Sequence, residues 1–257
     1  MAIETIRVTA GDNFPIWTFA HYVGATETNY RKLFLISRVC ELLAGGATDS
    51  QFFVSDQSAQ LYSSADPDPN DTGELVILAE KGQDADAFWH HIRRLHRPIV
   101  FFRDGDTKKS LYQIDGPEAL KLITASVKSP PTLIIQGLSE IFRELFRWWT
   151  QDGRAQEKHD IEVRILKSDL KRRHIQELSD LASLAEKIGA STISKSYKDK
   201  ILKLASDIVL NQEAQNTQLG AIIDSASAET IFVEDSAATQ FFSASNQRTI
   251  GQTSEDK

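Results

Sequence analysis

The apolar residues of this chain change their period once, at Ser129-Pro130-Pro131, and that change constrains the fold more than any other feature. Upstream, short runs of β-branched and aromatic residues are cut repeatedly by Gly, Pro, Asn and Asp. Such runs read as strands and short helices joined by turns. Downstream, from Thr132, most apolar residues recur three or four positions apart, the spacing of one helix face. The expected fold class is therefore α+β. An α+β domain is expected over 1–130, a helical region over 131–224, and a largely disordered acidic tail over 225–257. At 257 residues the chain is long enough to bury a substantial core.

Within the first part, Ile3–Thr9 and Phe14–Val23 read as two strands around a Gly-Asp-Asn turn, an N-terminal hairpin. A helix follows to about Ala44, with Leu33, Ile36, Cys40 and Leu43 at helical spacing and Gly45-Gly46 as its stop. Strands are expected within Gln51–Ser63 and Glu74–Lys81. Asp84 or Asp86 opens a helix that ends before Pro98. Ile99–Arg103 and Ser110–Ile114 flank a turn and read as a hairpin with a loop longer than two residues. Gly116-Pro117-Glu118 opens a further helix, to about Val127.

The second part begins with the most amphipathic stretch of the chain, read as a helix over Thr132–Thr150. Leu138, Ile141, Phe142, Leu145, Trp148 and Trp149 make its apolar stripe, and Glu140, Arg143, Glu144 and Arg147 its polar face. Three roles suit such a helix: core packing beneath the strands, a protein interface with Trp anchors, or a seat in a membrane surface. Residues 160–166 alternate as a strand would. Helices are expected over Ser168–Ile188 and from Ser196 through Ile208.

Composition excludes several classes of protein. The single cysteine, Cys40, provides neither an intrachain disulfide nor a thiolate zinc site, and its place on an apolar helix face gives it a packing role. No uninterrupted apolar run approaches the ~18 residues of a spanning helix. The N-terminus shows no secretory pattern, so a cytoplasmic location is expected. Net charge is −7, but unevenly spread: −6 over residues 1–82, +1 over 83–153, +4 over 154–204 and −6 over 205–257. An acidic chain is not built to coat phosphate backbones, so a nucleic-acid partner is not expected.

Few residues carry a chemical signal. His90, His91 and His96 lie at separations that one helix face cannot gather, so no metal site is expected from them. His90, Arg93, Arg94 and Arg97 make a weak candidate anion-binding patch. Asp104 and Asp106, followed by Lys108, resemble in spacing the acid-x-Lys half of a metal-dependent nuclease site, although turn chemistry accounts for Asp104-Gly105-Asp106. There is no Gly-x-Ser-x-Gly elbow, phosphate loop or dinucleotide fingerprint, and no cofactor is expected.

The functional expectation is a non-enzymatic interaction or regulatory protein that assembles with itself or with a protein partner. Leu138, Ile141, Phe142, Leu145, Trp148 and Trp149 are its candidate contacts. A metal-dependent hydrolase using Asp104 and Asp106, and a membrane-surface protein using residues 132–150, are the alternatives.

Overall fold

The computed structural model describes residues 2–11, 15–60, 66–70, 72–78, 86–126, 130–151, 189 and 195–225. The fold is α+β, with two four-stranded antiparallel sheets and long helices. The first sheet contains β1 (Ile3–Thr9), β6 (Lys121–Ser126), β7 (Thr132–Leu138) and β8 (Ile222–Ser225), in the order β6-β7-β1-β8. The second contains β2 (Phe52–Ser58), β3 (Leu75–Ile77), β4 (Pro98–Asp104) and β5 (Thr107–Ser110), in the order β3-β2-β4-β5. Among the described residues the α-helices are α1 (Ile16–Ala44), α2 (Asp86–Arg94), α3 (Ser139–Gln151) and α4 (Lys195–Leu219).

One long helix joins these parts. Leu33, Phe34, Leu35 and Ile36 of α1 are all buried. Four successive residues sweep roughly 300° of a helix, so no face there meets solvent. Their cluster includes Ile6 and Val8 of the first sheet, Phe52, Val54 and Val100 of the second, and residues of α2, α3 and α4. A small second cluster, Phe53, Ile99 and Phe101, occupies the opposite face of the second sheet. Arg103 and Lys108 lie over the Phe53 ring.

Tyr30 pins α1 to the first sheet. Its hydroxyl accepts a hydrogen bond from the Leu138 amide at 2.7 Å and donates one to the Glu118 carbonyl at 2.8 Å. The close fit requires glycine at position 137, since a Cβ there would stand 2.8 Å from the Tyr30 ring.

Against α4 the contact is polar. Tyr22 donates to Asn216 Oδ1 at 2.8 Å, and Asn29 donates to Gln212 Oε1 at 2.9 Å. Gln212 in turn donates to Thr26 and to Asn216. Pairing 22 with 216 and 29 with 212 makes the two helices antiparallel. Buried polar groups must find partners, so this network fixes the register of the pair.

Several sequence expectations change. Residues 16–23, expected as a hairpin strand, form the first turns of α1. Pro15 stands at its N-cap with φ −62°, preorganised for a helix start, and the aromatic residues serve helix packing. Thr132–Leu138, expected as helix, is strand β7, paired on one side with β1 and on the other with β6. Its run of Leu133, Ile134 and Ile135, all buried, is what a central strand needs. The helix proper starts at Ser139. The segment expected as a helix from Gly116 is a set of turns followed by β6, and the β4–β5 connection is only Gly105-Asp106, with Gly105 at φ 62°.

The expected boundary at 130/131 falls between two strands of one sheet, and β7 and β8 both flank β1. The readings made for 160–166, for 168–188 and for the tail beyond Ser225 lie outside the described residues.

Candidate functional site

The first half of α1 leaves one face uncovered by sheet. His21, Ala25, Thr28 and Lys32 fall on one stripe at spacings of three and four. The exit of α2 supplies Arg93 and His96 to the same place, and α4 supplies Asp207, Asn211 and Gln215. Together they line a groove of about 330 Å³.

Local bonds hold its walls. Lys32 donates to the Arg93 carbonyl at 2.8 Å, tying α1 to the end of α2. Thr28 donates its hydroxyl proton to the Gly24 carbonyl at 2.9 Å, so its oxygen accepts from the His96 ring, whose Nε2 lies 3.1 Å away. Arg93 reaches Asp207 at 3.4 Å, an exposed pair that contributes little to stability.

The electrostatics are those of crowded cations. Burial lowers the pKa of the Lys32 ammonium. Burial also lowers that of His96, aided by Arg97, Lys32 and His21 and opposed by Glu27. Among the described residues that line the groove, Lys32 and Arg93 face one carboxylate, Asp207, so these residues carry an excess positive charge. Such a groove favours an anionic ligand.

Arg97 turns the other way. Its Nε lies 2.8 Å from Glu27 Oε2, in ion-pair contact without hydrogen-bond alignment. Glu27 also pairs with Arg31 at 3.1 Å, and the Arg31 guanidinium lies 4.3 Å from the centre of the Tyr112 ring. These groups tie α1 to the segments before β4 and after β5.

Of the expected anion patch, only Arg93 stands in the groove. Arg97 serves Glu27, while His90 and Arg94 are exposed on α2 and do not line the groove. Sequence reading missed His21, Lys32 and His96. His21 was hidden by the expected hairpin, and Thr28 and His96 meet from 68 positions apart.

Leu138, Ile141, Phe142 and Leu145 are buried in the chain's own core, with Phe142 edge-on to both Tyr30 and Phe146. Trp148 and Trp149 belong to α3, and their side chains lie outside the described residues. Asp104 and Asp106 are exposed at the β4–β5 turn, where Asp104 lies 3.7 Å from Lys109. Among the described residues no three His, Cys, Asp or Glu side chains are placed to hold a metal ion together, and no helix is long and apolar enough to cross a membrane.

Comparison of the chain with protein-family models, with curated proteins and with solved structures gives no match.

Proposed function

We propose that this chain is a non-enzymatic interaction protein that holds an acidic segment of a protein partner in the groove between α1, the end of α2 and α4. One observation carries the reading: Lys32, Arg93, His21 and His96 converge from two separate helical segments on one groove, with Asp207 as the acid facing them. Trp17 supports a protein partner. It lies one helical turn before His21 on the same stripe and is 67% exposed. A large exposed aromatic beside cations suits protein recognition better than small-ion capture.

The contact surface therefore moves from the α3 stripe, whose described members are buried, to the N-terminal half of α1. The test is fluorescence anisotropy with a labelled glutamate-rich peptide, on the native chain and on the double variant His21→Glu/Arg93→Glu. Saturable binding is expected, weakened about tenfold or more by the double reversal while circular dichroism stays unchanged. Absence of binding, or binding indifferent to the reversal, overturns the reading. Self-association abolished by the same variant would identify the acidic partner as another copy of the chain.

A further inference from the structure

On the other side of α1 the first sheet ends in β6. Among the described residues no strand pairs with the outer side of β6. A sheet edge presents backbone N–H and C=O groups, and proteins commonly guard it with charged side chains. Lys121 guards only the start of β6, and residues 122–126 carry no charge. Leu122 and Ile123 are 52% and 36% exposed there.

A cavity of about 130 Å³ lies between this edge and the N-terminal half of α1. Leu122 pairs with Ile135 of β7, and both line the cavity together with Leu120, Leu133, Tyr22 and Val23. Leu122 is thus both the exposed edge of the sheet and the rim of the cavity. Glu27 and Arg97 stand in the same lining with opposite charges, so the lining selects neither an anion nor a cation.

We propose that β6 and this cavity form a docking site for a short extended segment of a partner protein. The segment adds to β6 as a further strand and places one uncharged aliphatic or aromatic side chain in the cavity. Backbone chemistry selects an extended segment, since the groups along a sheet edge are met by another extended backbone. Strand geometry selects the anchor. The residue paired with Leu122 points to the same sheet face as Leu122 and Ile135, the face that borders the cavity. Size fits one such side chain: a dry cavity of roughly 150 Å³ admits benzene. The register of β6 against β7 shifts between Leu122 and Thr124, which makes Ile123 the extra residue of a bulge. Bulges twist an edge away from a second rigid sheet, so a short segment suits β6 better than another copy of the chain. The site shares no lining residue with the groove and does not rest on the function proposed for it.

The probe is the peptide acetyl-Lys-Thr-Val-Leu-Val-Thr-amide, whose one charge is positive and so unsuited to the groove. It is titrated into the full chain by isothermal calorimetry and followed by NMR. Saturable binding is expected, with shifts at the amides of β6 and the methyls of Val23, Leu120, Leu122, Leu133 and Ile135. N-methylation of one alternate set of peptide amides is expected to weaken binding about tenfold or more, and N-methylation of the other set to leave it nearly unchanged. Replacing the peptide leucine by aspartate, or Leu122→Lys in the chain with circular dichroism unchanged, is expected to weaken it by a similar factor. The proposal is overturned if the peptide does not bind, shifts resonances elsewhere, responds equally to both N-methylated sets, or binds a folded Leu122→Lys chain undiminished. A dimer that Leu122→Lys separates and the peptide does not displace would assign the edge to a second copy and also overturn it. If Leu122→Lys fails to fold, the resonance map and the two N-methylated peptides decide the matter.

Discussion

The two halves of α1 do different work. From Leu33 to Leu43 the helix is apolar on nearly every side and is enclosed by both sheets and the other helices. From Trp17 to Lys32 it carries Thr, Asn, His, Glu and Lys, binds α4 through a polar network, and is flanked by two cavities. The difference shows how one element can anchor a fold and present a surface. Apolar burial sets stability in one half. In the other half, hydrogen bonds set register and leave room for ligands.

Three perturbations probe this contrast, and the largest effect is expected in the apolar half. Leu35 is fully buried, and Leu35→Ala should cost about 2–5 kcal/mol in urea unfolding. A loss under about 1 kcal/mol would mean that this half of α1 is not the core.

The second perturbation addresses the polar half. Gln212 is fully buried and bonds with Asn29, Thr26 and Asn216. Gln212→Ala should cost about 1–3 kcal/mol, because its partners lose their bonds without regaining water. The double change Asn29→Leu/Gln212→Leu should cost less than the sum of the single changes, and additive losses would show that the network is not coupled.

The smallest effect concerns pH. His96 has a lower pKa in the folded chain than its ordinary 6.5, because burial and neighbouring cations disfavour its charged form. The unfolded chain therefore binds the proton more readily. This contribution to stability is complete above the unfolded pKa and declines as pH falls below about 6.5, until the folded-state pKa is passed. His96→Asn should flatten that part of the Tm profile. An unchanged slope would remove His96 as its source. An acidic ligand in the groove should raise the His96 pKa, readable by NMR titration, because it favours the charged ring.

Much of the fold was legible where local pattern and tertiary use agree. Examples are the Asp86–Arg94 helix and the apolar face of α4; the hairpin after Pro98 was legible in kind, but its second strand is Thr107–Ser110 rather than the expected Ser110–Ile114. It was obscured where local chemistry favoured a different element from the one that packing selected. Phe19 and Tyr22 looked strand-like but pack from a helix, and the residues before Leu138 share an apolar character with the helix that follows. The groove was legible only through Arg93. His21, Lys32 and His96 gain meaning from the approach of α2 to α1, which no spacing along the chain records.

The most direct test of the division within α1 is an amide and side-chain NMR map of the chain during titration with a glutamate-rich peptide. The predicted result is saturable shifts at Trp17, His21, Thr28, Lys32, Arg93 and His96, with Leu33 to Leu43 unmoved. Shifts centred on the apolar half or elsewhere in the chain, or none at all, would contradict it.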